Sequence, residues 1–386
     1  MKGFSLFILC SAFFTNTVFA DSKVRVLIFP HILTYSIPEG RETVLNQVTL
    51  SSNEPCEING VSHPPMAPWS QEFKAADILD PVELHCNAPV KVVREKGFQS
   101  YSYAGNFELF NQNGVLQVVN VVSLEDYIDG VVPTEMSSSW PTEALKAQAI
   151  AARSYALYEI KAARGDPERS NYDLDDTIFY QAYLGTTNVN PASHRAVVAT
   201  SGQVMTYQGA AIKAYFHSDS GGHTESADEL FTEAHEYCLG KQEQFNPNVI
   251  VDDLWKKSFQ FSELTLRLAH ARIIPEGVSV AGMKISSLDR SGRVQKFEIV
   301  TRKGPIFVEG QSFRLAVGLR SLLILSLTQN NDTLQFSGRG YGHGVGMNQS
   351  GARFLAQERA ETAENILHFY YTGVEINSVG SFFPTD

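Results

Sequence analysis

The sequence predicts an α+β fold with mainly antiparallel strands. Three features carry that expectation. Residues 21–118 hold short apolar alternations broken by Pro and Gly, an Ala-rich stretch near residue 150 repeats at helical spacing, and two helical patterns close the chain.

Taken in order, Val24, Val26 and Ile28 alternate within residues 23–29 as in a strand, and strand-like stretches continue to residues 115–122. Ser123, with Asp126 three residues on, reads as a capping box opening a short helix over 124–129 that Gly130 would stop. The next helix is predicted from Pro141 to about Ala163, with Leu145, Ala149, Ala152, Ala156 and Ile160 on one face. Residues 204–207 and 211–217 suggest a hairpin around Gln208-Gly209, placing Lys213, Tyr215 and His217 on one face. Residues 250–330 look mixed, with strands near 294–300 and 305–308. Two helices, 348–359 and 361–371, end the pattern.

Hydrophobic residues make up 43% of the 386, which indicates a packed protein instead of a disordered one. The formal charge of −11, with no Lys/Arg run, argues against a nucleic-acid partner. Lys2, an apolar stretch over 4–14 and Val18-Phe19-Ala20 predict a signal peptide over residues 1–20, hence export to the periplasm or the exterior. Three cysteines would remain after cleavage. Cys56 and Cys86 flank a Pro-rich stretch (Pro64, Pro65, Pro68) and are the expected disulfide, leaving Cys238 as a buried thiol.

Several motifs invite chemistry. Glu135 lies among Val131, Val132, Pro133, Met136 and Trp140, between two expected helices, where apolar neighbours would raise its pKa as a general acid requires. Asp219-Ser220-Gly221-Gly222 resembles the nucleophile loop of trypsin-like proteases, which also need an upstream His and Asp around the Ser, but no Ala-Ala-His-Cys-like segment is present. His217 and His223 alone are a weak metal signal. From Gly338 to Gly346 every second residue is Gly. No βαβ unit or Walker motif accompanies it, so a nucleotide site is not indicated. An extended strand there would show one bald face, with Arg339, Tyr341 and His343 sharing the other.

Taken together, these segments resemble the SpoIID (stage II sporulation protein D) family. The likeness is carried by Leu124-Glu125-Asp126-Tyr127-Ile128-Asp129-Gly130-Val131-Val132-Pro133-Thr134-Glu135-Met136 and by residues 143–156 (EALKAQAIAARSYA). Gln181-Ala182-Tyr183-Leu184-Gly185, residues 215–222 with Thr224, and residues 338–352 continue it, so that it spans about 24–375. It implies an N-terminal β-rich region over 21–118 and a SpoIID-like catalytic domain over 119–386, with a helical catalytic segment before the Ala-rich helix. It also implies that Glu135 is the catalytic residue. Gln148, Arg153, Tyr155, Gln181, Tyr215, His217, Ser220, His343 and Gln349 match further motif positions and are assigned to substrate binding or support of the site. Some family members bind zinc through two Cys. Here Asp175 and Tyr180 stand at those places, so neither zinc nor another cofactor is expected.

The activity implied is that of a peptidoglycan lytic transglycosylase, acting on glycan strands freed of stem peptides, with a cell-wall amidase as a further partner. Such an enzyme can work with one acid, because the substrate's own C6 hydroxyl attacks. A glycoside hydrolase needs two carboxylates, for which Asp219 or Asp176 would have to serve. A glycan-binding amidase enhancer without catalysis is the other alternative.

Overall fold

The computed structural model describes residues 23–28, 45–62, 68–93, 100–231, 234–244 and 254–379. The expected signal peptide, Pro64 and Pro65 lie outside the described residues. The architecture is α+β, and its sheets are mostly antiparallel.

Strand Lys23–Ile28 pairs antiparallel with Val115–Ser123, aligning Val24 with Val122 and Val26 with Asn120. These two strands lie within a seven-stranded sheet that reaches Leu174–Asp175 at one edge and Val61–Ser62 at the other. Residue 118, the division expected from the sequence, falls inside Val115–Ser123. Packing does not part there: Val24, Val118, Ile128 and Ala149 share one buried core. A second core, from Trp255 to Phe336, is built from two three-stranded sheets and the helices Phe261–His270 and Gly310–Val317. The disulfide Cys56–Cys86 joins two directly opposed residues of neighbouring strands, 4.4 Å apart at Cα. Cys238 is a buried free thiol.

Two helices position the site. The first, Leu124–Glu135, is capped by Ser123, whose Oγ accepts the Asp126 N–H at 3.1 Å. It does not stop at Gly130 as expected, and it contains Pro133. The reason is tertiary: a β-carbon on Gly130 would meet the Gly185 carbonyl and the Tyr183 ring. Glycine is there for close approach, not for a turn. Glu135 is therefore the last helical residue, not part of a loop. The second helix, Thr142–Ala163, follows Pro141 as its N-cap. Residues 147–157 are all buried, so this helix runs through the main core, with its alanines admitting neighbours on every side.

The expected hairpin is shorter than predicted. Of the expected second arm only Ala210–Ala211 pairs with Gln203–Tyr207, whose other edge takes Glu375–Ser378, and Phe216–His217 turns to a different partner. The closing helices are Gln349–Glu358 and Ala363–Tyr370.

Candidate active site

Two segments far apart in sequence cross beside the end of the first helix. Phe216–His217 pairs parallel with Met347–Asn348, and the Met347 N–H donates to the Tyr215 carbonyl at 3.0 Å. The alternating glycines before that crossing do not form the extended strand expected of them. Gly340, Gly342, Gly344 and Gly346 all take positive φ, from 73° to 108°, so the backbone turns repeatedly. At Gly346 a β-carbon would also collide with the Tyr215 carbonyl. Between these turns the main chain of Val345 is held by two imidazoles. Its N–H donates to His343 Nδ1 at 3.0 Å, and its carbonyl accepts from His217 Nδ1 at 3.0 Å. Burial pushes His343 down to about 3 and His217 well below its ordinary value. Both rings are neutral near pH 7, so neither can serve as the acid there.

Glu135 is gripped from two sides. Its Oε1 accepts the Ala182 N–H at 2.7 Å, and its Oε2 accepts Gln349 Nε2 at 3.2 Å. That Nε2 also lies 3.4 Å from Gln148 Oε1, so Gln148 steadies Gln349. Gln181 donates to Tyr127 Oη at 3.4 Å, anchoring the segment that presents Ala182. Burial raises the Glu135 carboxyl above its usual value of 4.5, outweighing the two hydrogen bonds that pull it down.

Glu135 opens into a cleft of about 330 Å³. Tyr155, Tyr180, Tyr215 and Phe231 line it, with Tyr215 stacked on Phe231 at 4.4 Å and Tyr155 set edge-on to Tyr215 at 6.1 Å. Such rings present flat apolar faces that suit the C–H faces of a sugar. Lys213, His217 and His343 also line it, as do Gln311 and Arg314 from the second core. The shared face expected for Lys213, Tyr215 and His217 survives the shortened strand. Of Arg339, Tyr341 and His343, the latter two line the cleft.

Other residues expected at the site stand elsewhere. Arg153 is fully buried, with Nε and Nη2 on the Glu125 carboxylate at 2.9 and 2.8 Å and Nη1 on the Gln203 carbonyl at 2.9 Å. It ties the two helices and a neighbouring strand together instead of facing a ligand. Ser220 donates to Glu243, whose carboxylate also takes Tyr370 Oη at 2.6 Å and Asn348 Nδ2 at 3.0 Å. Ser220 of the Asp-Ser-Gly-Gly loop is thus committed to a buried polar cluster and is not a nucleophile at a surface. Asp219 and Asp176, the candidate second carboxylates, do not line the cleft.

Asp175 and Tyr180, which stand where the resemblance would place metal-binding Cys, are each held by neighbouring groups. Asp175 Oδ1 accepts the Thr177 N–H at 2.9 Å and its hydroxyl at 2.5 Å, while Tyr180 Oη accepts Arg169 Nη1 at 2.9 Å. Among the described residues no group of three or more His, Cys, Asp or Glu side chains converges as a ligand set. Two contributors had no signal in the sequence. The Ala182 N–H is a backbone donor, and Arg314 lies outside every motif.

A family model described as stage II sporulation protein matches residues 112–207, and a domain of unknown function matches 232–346. The chain is 36% identical over 290 residues to an uncharacterized protein of Brachyspira hyodysenteriae, covering 74% of this chain and 75% of that protein. It is 30% identical over 279 residues to stage II sporulation protein D of Bacillus subtilis, covering 69% and 78%. It is also 30% identical over 295 residues to the amidase enhancer of the same organism, covering 65% of this chain and 40% of that protein.

Proposed function

The chain belongs to the SpoIID family, and from that premise we propose that it is an exported lytic transglycosylase acting on the glycan strands of peptidoglycan. One observation carries the reading: among the described residues, Glu135 is the sole carboxylate lining the cleft. Its neutral form is favoured by burial, which is the form a general acid needs.

In this mechanism Glu135 protonates the glycosidic oxygen between N-acetylmuramic acid and N-acetylglucosamine. The C1–O bond breaks, and the leaving sugar departs with that proton. Glu135, now a carboxylate stabilised by the Ala182 N–H and Gln349, accepts the proton of the muramic C6 hydroxyl. That oxygen closes onto C1 and gives a 1,6-anhydro end. Attack is intramolecular, so no water and no second carboxylate are required. The aromatic wall of Tyr155, Tyr215 and Phe231 supports the sugar rings. Neutral His217 and His343 fix the backbone that presents Gln349.

Mass spectrometry of products from peptide-stripped glycan strands tests this. Anhydro-muramic ends are expected. Reducing ends would mean a hydrolase, and binding without cleavage would mean a glycan-binding module like one whose role is to enhance an amidase.

A further inference from the structure

Charge in the cleft does not balance. Glu135 is biased toward its neutral form, and both imidazoles are neutral. Lys213 Nζ pairs with Glu159 Oε1 at 2.9 Å. Arg314 is different. It projects from Gly310–Val317, and its Nε donates to Gln311 Oε1 at 2.9 Å. Burial pulls it down to about 10, and the group that offsets this is the Tyr341 phenol, not a carboxylate. Three other arginines withdrawn from water each face an acid: Arg153 meets Glu125, Arg169 meets Glu159, and Arg293 lies 3.8 Å from Glu225. Depriving a guanidinium of water without a counter-charge is costly. Its planar fork matches a carboxylate with two parallel hydrogen bonds. Among the described residues no carboxylate pairs with Arg314, which lines the same cleft as the candidate acid in a protein of net charge −11.

We propose that Arg314 is a specificity-determining residue that binds the free lactyl carboxylate of a muramic acid whose stem peptide has been removed. The inference rests on the glycan-cleaving reading above. In a peptide-bearing strand that carbonyl is an uncharged amide with a chain attached, so it offers no counter-charge. In a stripped strand it is an anion. Arg314 thus gives the site a way to distinguish the two from the second core, without touching the scissile bond.

Binding measured by calorimetry in Glu135→Gln protein tests this without consuming the ligand. The probes are peptide-stripped oligosaccharides of alternating N-acetylglucosamine and N-acetylmuramic acid, and the same oligosaccharides with their lactyl carboxylates coupled to methylamine. The free acid is expected to bind about tenfold to a hundredfold more tightly, as charge-assisted hydrogen bonds would give. Adding Arg314→Gln should bring that ratio close to one, while Arg314→Lys should keep part of it. The ratio is internal to each protein, so partial unfolding cannot mimic its loss. A preference that survives Arg314→Gln, or equal binding of both probes to the starting protein, overturns the role of Arg314 alone. If neither oligosaccharide binds the starting protein, the glycan reading fails and this proposal fails with it.

Discussion

Two carboxylates, the half-buried Glu135 and the buried Glu243, are held by consecutive residues: Asn348 at the end of the short parallel bridge and Gln349 at the start of the helix that follows. The amide of Asn348 serves Glu243, and the amide of Gln349 serves Glu135. Burial raises both above the usual carboxylate value. Their surroundings differ. Glu243 takes donors from Ser220, Tyr370 and Asn348 and lines no part of the cleft. Glu135 takes two donors and faces open space bounded by aromatic rings. A raised carboxyl marks withdrawal from water and nothing more. Chemistry needs, in addition, a route by which a substrate can reach it.

The sharpest way to break this comparison is to neutralise Glu135. Glu135→Gln should lower cleavage of peptide-stripped glycan by about a hundred- to ten-thousand-fold, the range general acid–base catalysis supplies. Its fold should hold, as checked by circular dichroism alongside counts of anhydro ends. Residual activity above about a tenth, outside that range, would remove Glu135 from the acid's role.

The matching change at the other carboxylate should act on stability. Glu243→Ala strands the hydroxyls of Ser220 and Tyr370 and the amide of Asn348 in a dry interior. At about 1–3 kcal/mol for each of these three unsatisfied groups, a loss of at least about 3 kcal/mol is expected in urea unfolding. Remaining folded protein should still make anhydro ends. A stable variant with dead chemistry would reverse the two assignments.

The smallest effect expected is a shift in a pH profile. Gln349→Leu removes a donor that favours the ionised form of Glu135, so the carboxyl should rise further. The protonated acid then persists to higher pH, and the alkaline limb of kcat/KM should move upward. Asn348→Leu should leave that limb in place while lowering stability. Identical limbs for Gln349→Leu and wild type would mean that Gln349 does not govern the acid.

Local chemistry was legible where neighbours in sequence decide it. Ser123 with Asp126 announced a helix start, the alanines around residue 150 announced a helix that others pack against, and Cys56 and Cys86 announced their bond. What failed depended on distant groups. Gly130 looked like a stop, but it is a contact surface for Gly185. The glycines from 338 to 346 looked like a flat strand, yet only Gly338 lies in one, and those from 340 to 346 serve left-handed turns around the crossing with Tyr215 and His217. Arg153 and Ser220 sit within recognisable motifs, but their partners Glu125 and Glu243 commit them to structure. Glu135 was legible as a residue. Its grip was not, because Gln349 lies 214 positions away and the Ala182 donor has no side-chain signature.

The bridge between Phe216–His217 and Met347–Asn348 has a consequence for how the chain assembles. Taken alone, it closes a very long loop, and long-range closures slow folding because entropy is lost before contacts form. The intervening segment changes that. Its two ends, Trp255 and Gly338, are themselves paired as neighbours in a sheet with its own core. Once that insert has folded, it acts as a clasp with both ends in one place. The bridge then closes over residues 218–254 and 339–346 instead of the whole intervening chain, so the crossing beside Glu135 draws its proximity from a module with its own core.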